Sequence, residues 1–131
     1  MENYKILIVD DSKYMRFALR RILINAGFQK IEEADSGEQA LAIYPVSKPN
    51  LVTMDHNMNG MSGIEATKNI VKLDPNAKIC MVTAYDNNED FVKEAFHAGA
   101  KGFIVKPFKT EKVLEAILKL AGFTAAVIKQ G

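Results

Sequence analysis

Three aspartates, a threonine and a lysine follow directly on short apolar runs. Asp10 and Asp11 come after Ile6-Leu7-Ile8-Val9, Asp55 after Leu51-Val52-Thr53-Met54, Thr83 after Ile79-Cys80-Met81-Val82, and Lys106-Pro107 after Phe103-Ile104-Val105. If these runs are parallel strands, their carboxyl ends share one sheet edge, where open α/β folds place their ligands. Carboxylates, a hydroxyl and an ammonium then converge. Two unit charges about 4 Å apart at an effective dielectric near 20 repel by roughly 4 kcal/mol, so three converged carboxylates call for protonation or a cation. Hard oxygen donors favour magnesium, which keeps several waters and suits one or two carboxylates, a carbonyl and a phosphoryl oxygen.

The stretches between the runs change period from strand-like to helical. Met15, Ala18, Leu19, Ile22, Leu23 and Ala26 follow helical spacing after a Ser12 cap, and Gly27 offers a left-handed stop. A short strand over Lys30 to Ala34 precedes Ser36 and Gln39, which read as a capping box for a helix carrying Ala40, Leu41 and Tyr44. Pro45 or the following turn ends that helix. Ser62 to Leu73 and Glu89 to Ala98 give two more helices, with a turn at Asp74-Pro75-Asn76. Thr110 is the expected cap of a last helix along Val113, Leu114, Ile117, Leu118 and Ala121, stopped near Gly122. Five strands alternating with five helices predict an α/β, flavodoxin-like doubly wound (βα)5 domain whose parallel sheet runs in the order 2-1-3-4-5. Residues 1–121 form that domain; 122–131, with Phe123, Val127 and Ile128, is a C-terminal tail that the pattern leaves unassigned.

Composition limits what the converged groups can serve. With 131 residues, 48% of them apolar, the chain fits a single core and no second domain. A net charge of +1 gives no reason for attraction to nucleic acid or anionic lipid, so the expected partner is a protein or a small ion. One cysteine excludes an internal disulfide, and Met1-Glu2-Asn3-Tyr4-Lys5 reaches its apolar run too early for a signal peptide. No apolar stretch spans a bilayer, and a cytoplasmic location is the expectation.

Val9-Asp10-Asp11-Ser12, Met54-Asp55 followed by Met58 and Gly63, Val82-Thr83-Ala84 and Val105-Lys106-Pro107-Phe108 resemble the motifs of a response-regulator receiver domain. The resemblance covers residues 4 to 121 and is strongest to stand-alone CheY-type chemotaxis regulators. It implies that Asp55 is the phosphoacceptor for a sensor histidine kinase or phosphotransfer domain, with Mg2+ as cofactor. By the same resemblance Asp11 and Asp55 ligate the metal directly, Asp10 acts through a water, and the main-chain carbonyl of Asn57 completes the protein ligands. Lys106, aimed by a cis bond to Pro107, and Thr83 would contact phosphoryl oxygens, as would the peptide N–H of Ala84. Thr83 and Phe103 would form the switch that repacks the surface of the fourth helix, fifth strand and fifth helix for a downstream protein, such as a flagellar motor switch component. Such a chain catalyses only its own phosphoryl transfer and dephosphorylation.

Two positions depart from that pattern. Asn59 stands where many family members have proline, leaving a more permissive loop beside the metal carbonyl. Phe103 stands where many have tyrosine, so no phenol is available to a partner. Tyr85, two residues after Thr83, and Asn57 are placed to influence water attack on an acyl phosphate.

Other residues read more plainly. His56 and His97 fit loop and helix surface, Cys80 fits core, and Arg16, Arg20 and Arg21 fit a solvated helix face. A haloacid-dehalogenase-type hydrolase needs acids two apart after the first strand, and Ser12 occupies that place. A nucleotide or flavin binder needs a phosphate loop there, which Asp10-Asp11 would repel. A receiver belonging to a longer response regulator and a degenerate, constitutive docking domain are the remaining alternatives.

Overall fold

In the computed structural model, residues 1–84 and 89–123 are described. They form β1 (Lys5–Val9), α1 (Lys13–Asn25), β2 (Lys30–Ala34), α2 (Gly37–Ser47), β3 (Leu51–Asp55), α3 (Gly63–Leu73), β4 (Ile79–Thr83), α4 (Glu89–Ala98), β5 (Gly102–Val105) and α5 (Thr110–Ala121). The strands make one parallel sheet in the order β2-β1-β3-β4-β5, as the alternating pattern predicts. The predicted roles of Tyr85 and of the chain beyond Phe123 lie outside the described residues.

Alternation along the strands sorts side chains into two cores. Leu7, Val9, Val52, Met54, Ile79 and Met81 pack beneath α2, α3 and α4. Ile6, Ile8, Leu51, Cys80, Val82 and Ile104 face the other way, towards Leu19 and Leu23 of α1 and Val113 and Ile117 of α5. Burial on both faces makes the strands near-continuous apolar runs. It also leaves only their ends for polar chemistry.

Local signals set the helix limits, with small shifts. Ser12, Ser36 and Ser62 each accept a hydrogen bond from the backbone N–H three residues on. The box at Ser36 is modified: Gln39 Oε1 accepts from the Asp35 N–H rather than closing back on Ser36. α2 continues through Pro45 to Ser47 and ends at Lys48, whose φ of 51° is left-handed, so the following turn and not the proline stops it. Pro45 stands in the last turn, where its missing N–H affects few bonds. Thr110 is the first residue of α5 and not its cap; Lys109 takes the capping position without a side-chain bond.

Candidate functional site

β1, β3, β4 and β5 end beside one another, with Val9 in register with Met54, Asp55 with Val82, and Thr83 with Val105. Asp10 follows β1, Asp55 and Thr83 are the last residues of β3 and β4, and Lys106 follows β5. A single ammonium ties three of these strand ends together. Lys106 Nζ donates to Asp55 Oδ1 at 2.9 Å and to Asp10 Oδ2 at 3.1 Å. Asp10 is 5% exposed and Asp55 4%, whereas Asp11 is exposed.

The backbone holds these groups in place. Asp10 donates its N–H to the Ala34 carbonyl, its own carbonyl accepts from Arg16 Nη1 at 2.7 Å, and its Oδ1 accepts the Ser12 N–H at 2.8 Å. Both carboxylate oxygens of Asp10 are thereby engaged, while Asp11 makes no hydrogen bond among the described residues. Lys106 donates its N–H to the Thr83 carbonyl, and the Lys106–Pro107 bond is cis. After Asp55, His56 donates to the Val82 carbonyl and accepts from the Gly63 N–H, so the loop over 56–62 is closed at its base and the start of α3 is held against the end of β3. Gly63 permits that approach. A Cβ there would overlap the Asp55 carbonyl oxygen and stand 2.8 Å from His56 Cα.

Charge crowding shows in the protonation equilibria. Burial raises the Asp55 carboxyl above the usual carboxylate range; its hydrogen bond to Lys106 opposes this, and the charges of Asp10 and Asp11 add to the rise. Burial pulls Lys106 down, but its hydrogen bond to Asp55 and the charges of Asp55 and Asp10 outweigh that and leave it raised. One ammonium thus faces three carboxylates. Ligand oxygens of Asp10, Asp11 and Asp55 all lie within 4.8 Å of one another, so the set can hold a hard cation that supplies the missing positive charge.

The other site positions from the sequence fall nearby or on the path outward. Thr83 is buried, Ala84 and Asn57 are exposed, and Asn57 begins the loop to α3. Phe103 is half-buried on β5, with its ring 5.0 Å from Phe96 and 6.3 Å from Phe91 of α4. His56 departs from its surface reading: its ring lies 4.4 Å from that of Phe91, and burial lowers its pKa while Glu94 raises it. Nothing in the sequence marks that contact, because it depends on where the chain turns after Asp55. Arg16 and Arg20 are also less free than a solvated face suggests, each pairing with Glu33 of β2. His97 is exposed and Cys80 is buried, as expected.

Comparison with known proteins agrees with this arrangement. Residues 6–118 match the response regulator receiver domain family. The chain belongs to that family. It is 46% identical to the chemotaxis protein CheY of Thermotoga maritima, over 89% of this chain and 97% of that one. It is 47% identical to CheY of Bacillus subtilis, over 88% and 96%. A chain of the CheX–CheY–BeF3–Mg2+ complex from Borrelia burgdorferi superposes with a TM-score of 0.85 at 36% identity, covering 91% of this chain and 90% of that one. The protein is therefore a signalling receiver domain of the CheY kind. No helix among the described residues is long and apolar enough to cross a membrane.

Proposed function

We propose that the domain takes a phosphoryl group from a histidine kinase or phosphotransfer partner onto Asp55 and thereby changes its binding of a downstream protein. The observation that carries this reading is the shared ammonium: Lys106 holds two buried acids from different strands at the edge of the sheet. Lys106 occupies Asp55 Oδ1, which leaves the other carboxylate oxygen to attack phosphorus. The P–O bond forms as the P–N bond to the donor imidazole breaks, and the imidazole leaves with a proton. Lys106 then offsets charge on the phosphoryl oxygens, and the Thr83 hydroxyl and Ala84 N–H donate to them. The residues suited to Mg2+ are Asp11 and Asp55 directly, the Asn57 carbonyl, and Asp10 through a water, since both Asp10 oxygens are already bonded. When bound, the metal supplies charge neutralisation for the incoming phosphoryl group.

The output follows from Thr83 and Phe103. A Thr83 drawn towards the phosphoryl group frees space for the Phe103 ring, which presently rests against Phe96 and Phe91. Beside that ring, a cavity of about 710 Å³ between β5 and α5 has Phe103 and Val105 in its lining, with Lys101, Lys109 and Lys119 and the Lys112–Glu115 pair around them. It offers an apolar floor and a basic rim to a protein partner. The names of the relatives favour chemotaxis, and a cytoplasmic location with a flagellar motor switch component as the target completes the proposal. The domain acts on no substrate beyond its own phosphoryl group.

Intact mass after incubation with magnesium and acetyl phosphate tests the reading. A labile gain of one phosphoryl group, lost in Asp55→Asn and with chelator, is expected. A chain that stays unmodified with every phosphoryl donor sinks it.

A further inference from the structure

We propose that Asn59–Gly60 is a site of spontaneous imide formation, which converts the loop after Asp55 into an acidic, lengthened form and so reduces phosphoryl acceptance with age. The chemical half stands alone; the effect on acceptance rests on the reading of Asp55 given above.

Of the nine asparagines, only Asn59 is followed by glycine. Attack of a backbone nitrogen on the preceding side-chain amide is hindered by the Cβ of the next residue, and glycine has none. Position 60 favours glycine through its backbone. Its φ is +78°, and a Cβ there would lie 2.9 Å from Glu38 Oε2. The left-handed backbone thus favours the reactive neighbour, and the exposed Glu38 carboxylate is free to turn aside. Both residues are exposed, and neither takes part in a hydrogen bond among the described residues.

In the reaction the Gly60 nitrogen bonds to Asn59 Cγ and the side-chain nitrogen leaves as ammonia, carrying the Gly60 amide proton. Water then opens the five-membered imide at either carbonyl, leaving aspartate or isoaspartate at position 59. No oxidant or cofactor is needed. Either product adds a negative charge to the loop that starts at Asp55, where three carboxylates already crowd one ammonium. Isoaspartate also inserts a methylene into the main chain. His56 is bonded to Val82 and Gly63, and Ser62 caps α3, so the added length has to be absorbed between Asn57 and Met61, the stretch that carries the Asn57 carbonyl.

The full chain, the Asn59→Gln variant and a synthetic peptide of residues 55–63 are held at mildly alkaline pH and mapped by fragmentation that separates aspartate from isoaspartate. Position 59 is expected to convert well ahead of the other asparagines, and Asn59→Gln to show no change there. An intact Asn59 in a chain whose synthetic peptide converts, or conversion no faster than at the other asparagines, overturns the proposal. The aged fraction, separated by charge, is then given magnesium and acetyl phosphate beside fresh chain. A severalfold slower uptake is expected; equal uptake overturns the functional half. Fresh chain that takes no phosphoryl group at all overturns the Asp55 reading instead, while the peptide map still decides the imide chemistry.

Discussion

Gly63 sets how closely α3 can approach the acid it follows. Two backbone groups, the Asp55 carbonyl and His56 Cα, occupy the space a side chain would need, and backbone cannot rotate aside. Gly63→Ala is expected to cost about 1–3 kcal/mol, as overpacking does, and to lower phosphoryl uptake by displacing Asp55. Denaturant unfolding and intact-mass labelling on the same sample check both effects; unchanged stability and uptake would contradict the placement. Asp55 itself carries a cost in the metal-free chain. Its folded pKa is raised by burial first, so its contribution to stability is fully present below the unfolded carboxylate pKa and is lost as pH rises through the folded value. Asp55→Asn should therefore raise the melting temperature at neutral pH in chelator, with the gain fading in acid, where the native carboxyl is protonated. Adding magnesium should reverse the ranking, since binding to the native state at a hundredfold excess over Kd contributes about 2.7 kcal/mol. Most of these residues were legible in the sequence because each stands where an apolar run ends. Gly63 was legible as part of a motif, but its reason is a close approach that only the folded chain displays, and the contact of His56 with Phe91 had no sequence signal.

The helices show which local signals carry through to structure. α1 and α5 end alike, at Gly27-Phe28 and Gly122-Phe123: each glycine has positive φ, and each phenylalanine donates its N–H to the carbonyl five residues back, Leu23 or Leu118. The glycines were readable as stops from periodicity alone. The cap of α5 was not, because Thr110 has the right side chain yet lies one residue inside the helix, where the chain leaves the cis Lys106–Pro107 turn. α2 is the clearest conflict between local preference and packing. Ala40 and buried Tyr44, whose hydroxyl donates to Asp74 Oδ2 at 2.7 Å, anchor the helix on the body and carry it past an exposed Pro45 that brings no N–H to the Leu41 carbonyl. Restoring that donor with Pro45→Ala should stabilise the domain. An interior proline costs roughly 3 kcal/mol, less in a last turn, and the freer unfolded chain takes back about 0.4–1 kcal/mol. A net gain of about 1 kcal/mol is expected in urea unfolding, and a loss would mean that the Leu41 carbonyl is satisfied another way.

Across the whole molecule, reactivity and one source of stability occupy opposite edges of the sheet. The carboxyl ends of the strands gather the acids and Lys106, where burial and like charge together raise Asp55 and the ammonium opposes them. At the amino ends, Tyr4 before β1, Phe28 before β2 and Phe123 after α5 form an aromatic cluster, with ring centroids 5.3 Å apart for Tyr4–Phe123, 5.9 Å for Tyr4–Phe28 and 6.0 Å for Phe28–Phe123. Phe123 is therefore packed on the body, which the sequence pattern alone left open. The cluster ties the first strand to the ends of the first and last helices, on the core face that α1 and α5 cover. Because the sheet is stiff across its length, removing part of this cluster should weaken the fold without moving the strand ends that hold Asp10, Asp55 and Lys106. Phe123→Ala is expected to cost about 1–2 kcal/mol, less than a fully buried ring because Phe123 is only half-buried. Phosphoryl uptake from acetyl phosphate at a temperature well below the variant's melting point should match the parent chain. A variant that keeps its stability would show that the cluster contributes little. One that folds but labels slowly would mean that the two edges are coupled through the sheet, and stability at one end would then be part of the switch at the other.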